Sequence, residues 1–489
     1  MSEERLSNPD LEPTTEADRT WDRWHIAALW VGMAVCIPTY TLASGMVSQG
    51  WSWKSAVLAV ALGNLIVLFP MLLNAHAGAK YGIPFPILLR SSFGILGSNI
   101  PAMMRAFVAC GWFGIQTWIG GSALYRLWLS LFPNSPSLPE LVPAWFGINT
   151  GEFLAFVAFW LLNVAVIAKG MDSLKKLEVW AAPFLLLCGA GLLAWAWSNL
   201  GSWTELLAER GEITRDTSSA LLGAGLTSGV AFWGTLALNI PDFARYAKNQ
   251  KEQIVGQALG LVPTMTAFAW IGAVVTNATV VILGTKVSDP VALVSQLGGP
   301  FLTVLAMVGL IIATLSTNLA ANVVSPANDF SNLAPKKISF KTGALIAATV
   351  GMVMMPWKLY IDGANYLFTW LIGYGGMLGA VAGIMLTDYY LIRKCSLNVD
   401  ALYVRGSEYE YSNGFNWIAV LALCLGISVN LPGFLGALGV IEVGDFARAI
   451  YERAWFAGVF ISAFTYWAGM KFLLPAPLFN RDVSISNAD

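Results

Sequence analysis

The chain has 489 residues, 56% hydrophobic and only 12% charged, with a mean hydropathy of +0.63 and a formal net charge of −1. Soluble domains carry about 25% charged residues, and apolar runs here recur from Trp30 almost to Leu474, so a sizeable soluble domain is excluded and a polytopic membrane protein is expected. No basic stripe points to nucleic acid, and the cysteines at 36, 110, 188, 395 and 424 have neither CxxC nor Cys/His spacing, so neither a disulfide framework nor a cysteine metal site is indicated.

The first 25 residues are polar and acidic, unlike a signal peptide, and read as a disordered or loosely packed tail. Apolar windows of about 20 residues, the length that crosses the hydrocarbon core, then recur twelve times. They lie near 26–49, 55–78, 99–131, 152–169, 178–199, 221–247, 254–284, 299–330, 341–357, 362–392, 415–434 and 451–474, numbered here as spans 1 to 12. The stretch PFPILLRSSFG (84–94) is apolar but short and interrupted by Pro and Arg, and it reads as re-entrant or interfacial. An even number of spans puts both termini on one side. With the N-terminus inside, the inner segments hold more than twice the Lys and Arg of the outer ones, which assigns both termini to the cytoplasm.

Two spans look broken. In span 1, VCIPTYTLASG (35–45) holds Pro38, which cannot donate an amide hydrogen bond, with Thr39 and Gly45 beyond it. In span 6, Gly229 and Gly234 bracket the midpoint of LTSGVAFWGTLALNIPDF (226–243). Backbone groups freed within lipid need protein, water, an ion or a ligand. The breaks fall five spans apart, and five is odd, so a second five-helix repeat would be inverted with respect to the first. Paired breaks in corresponding helices point to a secondary transporter with a midplane site. The predicted organisation is a tail (1–25), a first repeat (26–200), a second (201–395), two further helices (396–474) and a tail (475–489).

Spans 3 and 8 correspond across these repeats, and both carry amides. Trp112 and Gln116 are four apart on one face of span 3, and Asn318 and Asn322 are four apart on span 8. Such a set offers donors and acceptors to the edges of a planar ring, with Trp233 at the span 6 break to stack on it. Buried amides also join helices, and that is the reading for the isolated Asn64 and Asn163. Ser316 and Thr317, with a carbonyl from Ala313 and opened backbone near Gly32 and Val35, suit a sodium ion. Spacing alone equally allows hydroxyls bonded back to their own helix. Arg105 reads as snorkelling or paired, Asp242 and Asp388 as ion-paired with Arg245 and Arg393, and His76 as structural. Gly373, Gly375 and Gly376 either let span 10 bend or pack it closely.

Over nearly its whole length the chain resembles the first nucleobase–cation symporter family, permeases for hydantoins, allantoin, uracil, cytosine and related compounds. The resemblance is carried by LNAHAGAKYGIPFP (73–86), ACGWFGIQTWIGG (109–121), GMDSLKKLE (170–178), LALNIPDFARYAKNQKEQIVGQ (236–257) and STNLAANVVSPAN (316–328). It implies an all-α leucine-transporter-like fold, with 5+5 inverted repeats and two more helices. It also implies substrate contacts at Trp112, Gln116, Trp233 and Asn322, with Asn318 beside them, and a sodium site at Gly32, Val35, Ala313, Ser316 and Thr317. One position departs: Cys36 stands where family members often carry Gln or Asn, so a hydrogen bond to the ligand is missing or altered. The expected function is import of a small neutral heterocycle by a monomer, with no organic cofactor, coupled to sodium or alternatively to protons. The competing reading is an amino-acid-type sodium symporter, which would need partners for an ammonium and a carboxylate. A membrane enzyme is disfavoured because no mid-depth acid–base cluster is present.

Overall fold

The computed structural model describes residues 6–473 apart from 137, 170, 213–214, 298–299 and 361–368, and gives backbone alone at 171–182, 215–222, 297 and 300–302. The expected tail 475–489 and the start of the span 10 window lie outside that set.

Helices occupy each of the expected windows. By length and composition, seven of those described are long and apolar enough to cross a membrane, and the bent pair Arg23–Ala34 and Ile37–Ser48 adds an eighth. Their ends follow local chemistry. Asp22 accepts from the amides of Trp24 and His25, Ser52 caps Trp53–Tyr81, Asn249 caps Gln250–Leu283 and Ser339 caps Phe340–Val353. Gly82 ends span 2 at φ 72°, a conformation that costs glycine nothing. The 33-residue helix Asn99–Leu131 is diluted in apolarity by its Trp, Gly and Gln residues. Such a composition suits a face turned away from lipid.

The packing has the reciprocity of inverted repeats. Span 1 lies along span 7, and span 6 lies along span 2, so exchanging the repeats exchanges the contacts. Span 3 runs against span 8, the corresponding helix, while span 10 packs on span 12. Gly229 approaches Gly63 so closely that a Cβ on Gly63 would lie 2.9 Å from the Gly229 Cα. Gly229 therefore seats span 6 on span 2 and does not mark the break.

Both breaks are present. Span 1 opens at Val35 and Cys36, where Cys36 is extended (φ −145°, ψ 161°), and its halves meet at 54°. Pro38 stands in the first turn of the second half, where its missing amide leaves no hydrogen bond unmade. The chain breaks before the proline because a continuous helix would drive the ring into the carbonyl of Ala34. Span 6 divides into Arg215–Phe232, Gly234–Asn239 and Pro241–Ala244, the first interruption falling at Trp233. In span 10, Gly375 meets the Ala231 Cβ and Gly376 the Asn430 amide, so these glycines serve close packing.

Two expectations fail at the end of the bundle that carries the termini. The stretch 84–94 forms Phe85–Phe93, whose residues are all buried in protein, which sets aside the interfacial half of that expectation. The N-terminal tail is packed from Leu6 onward. Leu11 is fully buried, Leu6 N–H donates to Tyr403 O (2.8 Å), Tyr403 O–H donates to Leu11 O (2.8 Å) and Thr14 N–H donates to Gly82 O (2.9 Å). Arg90 donates to Leu6 O and Arg245 to Asp10 O, each at 3.0 Å. Polarity suggested disorder, but Leu11 supplies an anchor and the body supplies cations for the tail's carbonyls.

The same end holds buried ions. Arg105, fully buried, pairs with Asp329 (3.3 Å) and donates to Asn239 Oδ1 (2.8 Å), so it does not snorkel. Asp388 accepts from Arg393 Nε (2.9 Å), Ser91 Oγ (2.8 Å) and Tyr466 O–H (2.8 Å), the expected pair with two more donors. Asp242 departs from expectation: it accepts from the Phe85 amide (2.9 Å), while Arg245 donates to Asp10 O and Tyr246 O–H. His76 is held by Tyr389 O–H at 2.9 Å.

Candidate functional site

The two breaks and the amide-bearing faces of spans 3 and 8 meet around one small cavity. Span 1 contributes Met33, Cys36 and Pro38, and span 3 contributes Trp112 and Gln116. Span 6 contributes Phe232, Trp233, Thr235 and Leu236, and span 8 contributes Thr317, Ala321 and Asn322. None of these described lining residues is charged. The structure thus brings together Cys36, Trp112, Gln116, Trp233 and Asn322, drawn from four helices far apart in sequence.

Aromatic rings form one wall. Trp112 meets Phe232 edge-on (centroids 5.2 Å apart), Phe232 meets Trp233 (5.0 Å), and Trp233 meets Trp30 (5.1 Å). Trp112 Nε1 donates to Tyr374 O–H (3.2 Å), whose hydroxyl donates to Ala231 O (2.7 Å) beside the span 6 break. Tyr374 ties span 10 to the indole, a residue that sequence reading missed because only the span 10 glycines drew notice.

The amides are in different states of satisfaction. Gln116 is 3% exposed, and its Oε1 has no hydrogen-bond partner. Trp233 Nε1 is also buried without a partner. Unpaired buried polar atoms are costly, and a polar guest beside these two would offset that cost. Cys36 Sγ lies 3.3 Å from Thr39 Oγ1 and supplies only a weak group to the cavity. Asn318 does not line the cavity. It is fully buried behind Asn322, and its Oδ1 accepts from Asn322 Nδ2 at 3.0 Å.

At the span 1 break, Thr317 Oγ1 donates across to Gly32 O at 3.4 Å and so does not turn back on its own helix. A Cβ added at Gly32 would meet nothing within 4 Å, so the Gly32 Cα faces open space. Val35, Ala313 and Ser316 are buried on the same two helices. The donor set is neutral oxygen, hydroxyl and carbonyl, which is chemistry suited to a hard monovalent cation. Further cavities border the site region on both sides. One is lined by Thr41, Ile119 and Arg126, the other by Asp242, Ala320 and Asn328.

Residues 13–458 match the family profile described as permease for cytosine/purines, uracil, thiamine and allantoin. The chain is 43% identical over 469 residues to the purine–uracil permease of Arabidopsis thaliana, covering 95% of this chain and 78% of that one. It is 40% identical over 479 residues to the allantoin permease of Bacillus subtilis, covering 97% and 95%. Among solved structures it is similar to a nucleobase–cation-symport-1 family transporter in a closed conformation with bromovinylhydantoin bound, at TM-score 0.78 and 26% identity, covering 97% of this chain and 98% of that one.

Proposed function

The chain belongs to the nucleobase–cation symporter family, integral membrane permeases and not enzymes, with a leucine-transporter-like fold; from that premise we propose that it imports a small neutral heterocycle, of the uracil, allantoin or hydantoin kind, by cation symport with alternating access. The observation that carries this reading is the uncharged cavity at both helix breaks, where Gln116 Oε1 and Trp233 Nε1 are buried without partners. A zwitterionic amino acid would leave its ammonium and carboxylate unpaired there, so the amino-acid alternative is not favoured.

In this reading Trp112 and Trp233 cover the ring faces, Gln116 and Asn322 read its edges, Cys36 adds a weak contact, and Asn318 orients Asn322. Sodium enters with the ring, held by the Gly32, Val35 and Ala313 carbonyls and the Ser316 and Thr317 hydroxyls. Spans 1, 2, 6 and 7 move against 3, 4, 8 and 9, with span 10 as a gate, in a monomer whose termini face the cytoplasm. The test is uptake of labelled uracil, allantoin and hydantoin into proteoliposomes under a sodium gradient or a proton gradient. Concentrative uptake that follows sodium and is lost in Trp112→Ala and Asn322→Ala supports the assignment. Uptake that follows only protons would remove the sodium assignment, and undiminished uptake by both variants would remove the site.

A further inference from the structure

The segment before span 1 is laid across two groups of helices and anchored to both. Residues 6–11 are held by elements outside the set of spans 1, 2, 6 and 7. Asn8 Nδ2 donates to Pro335 O (3.2 Å) and Ile338 O (3.4 Å), both in the loop between spans 8 and 9. Asp10 Oδ2 accepts from the Phe340 amide (3.3 Å), one of the N–H groups that the first turn of span 9 cannot satisfy within its own helix. Leu6 and Leu11 are tied to Tyr403, beyond span 10. Residues 14–21 are held instead by spans 2 and 6. Thr14 N–H donates to Gly82 O and Trp21 N–H to Tyr246 O, each at 2.9 Å, and Trp21 O accepts from the Lys248 amide at 2.9 Å. Asp10 stands on the seam. Its carboxylate meets span 9, while its backbone carbonyl accepts from Arg245 at the end of span 6 (3.0 Å).

Only Glu12 and Pro13 separate the two anchorages. From Leu11 to Thr14 the chain reaches about 11 Å at full extension, so the two groups of helices cannot part further there while both anchorages hold. The segment also covers a cavity. Pro9, Asp10 and Pro13 line it together with Phe243 of span 6, Ala320 of span 8 and Phe340 of span 9. Ala320 borders this cavity and its neighbour Ala321 borders the one at the helix breaks, so the space beneath the segment adjoins the candidate site.

We propose that residues 6–14 are a strap that holds the termini side of the transporter shut, and that the 6–11 anchorage lets go each time the site opens toward the cytoplasm. The inference rests on the alternating-access reading above and adds a part to it. Opening separates spans 1 and 6 from spans 8 and 9, and the segment bridges that separation with too little chain to follow it. The Asn8 and Asp10 contacts suit a bond made and broken in every cycle, since each is a single hydrogen bond to a backbone group in a half-buried place, and such a bond contributes modestly. The strap thereby sets the balance between closed and inward-open forms without touching the ring.

The test uses the native Cys36, which lines the cavity at the helix breaks, as a reporter of opening, and the fully buried Cys110 of span 3 as a reporter of unfolding. The full chain in inverted membrane vesicles, with the cytoplasmic face outward, is treated with a membrane-impermeant maleimide. Modification at each cysteine is then followed by peptide mass spectrometry. In the double variant Asn8→Ala with Asp10→Ala, Cys36 is expected to react at least about fivefold faster than in the native chain, the loss of one hydrogen bond, while Cys110 stays unreactive. Thr15→Ala, at an exposed residue whose hydroxyl donates to Asp18 within the segment, is expected to leave the Cys36 rate unchanged. An unchanged Cys36 rate in the double variant, or an equal rise in Thr15→Ala, would overturn the strap. A rise shared by Cys110 would show that the segment holds the fold together and does not gate it, and would overturn the strap as well. Uptake by the native chain in proteoliposomes separates the two readings. No uptake of uracil, allantoin or hydantoin, with the Cys36 rise intact, would overturn the transport reading and leave the closing contact standing. Normal uptake without that rise would overturn the strap alone.

Discussion

The cavity at the helix breaks and the buried ionic groups at the termini end are two solutions to the same problem, polar side chains placed where a membrane protein should be apolar. At the termini end the charges pair with one another: Asp388 is fully buried yet accepts from Arg393, Ser91 and Tyr466, and Arg105 reaches both Asp329 and Asn239, although Asp329 Oδ1 and Arg105 Nε themselves have no further partner. Around the cavity the groups are neutral, and the ones that face inward are left open, Gln116 Oε1 and Trp233 Nε1 among them. Paired charges packed in protein carry structure, whereas neutral polar groups that line a cavity are available to a guest. Damage to the first should therefore register in folding, and damage to the second in transport.

The largest expected effect breaks the paired set. Asp388→Ala leaves the Arg393 guanidinium without its carboxylate and Ser91 and Tyr466 without an acceptor, at a cost of about 3–5 kcal/mol. Thermal unfolding of the purified protein should show a clear drop in Tm, together with low yield. Asn322→Ala should do the converse: an unchanged Tm and ring affinity weaker by about tenfold or more, the usual loss for a buried polar contact. Thr317→Val should raise the sodium concentration needed for half-maximal uptake by several-fold and leave ring affinity at saturating sodium nearly intact. The smallest effect sharpens the boundary between the sets. Tyr374→Phe removes the hydroxyl shared by Trp112 and Ala231 O, and about a fivefold rise in KM is expected from one neutral hydrogen bond. If Tyr374→Phe instead lowered Tm as far as Asp388→Ala, the division between structural and functional polar groups would be wrong.

Much of this was legible in the sequence because membranes penalise exceptions. An unsatisfied amide in lipid is expensive, so Gln116, Asn318 and Asn322 stood out, and so did Pro38 within an apolar run. Spacing of four located Trp112 with Gln116 on one face. It could not tell which of Asn318 and Asn322 reaches the cavity, since that depends on Thr117 and Asn163 packed behind span 8. Gly229 and Gly234 do bracket the interruption at Trp233, but a glycine that weakens a helix and one that admits a neighbour look alike in sequence, and only Gly63 on span 2 shows that Gly229 does the second. The ordered tail was missed because its partners, Arg90, Arg245 and Tyr403, lie far along the chain. Phe232 and Tyr374 gave no signal, being aromatic residues in aromatic-rich helices.

The central claim is that a neutral ring binds where Gln116 and Asn322 face each other across the helix breaks, and it is tested most directly by equilibrium binding to the purified protein. Titration of uracil, allantoin and hydantoin in the presence of sodium should show saturable binding of at least one. That binding should weaken by about tenfold or more in both Gln116→Leu and Asn322→Leu while Tm holds. Undiminished binding in both folded variants would contradict the account.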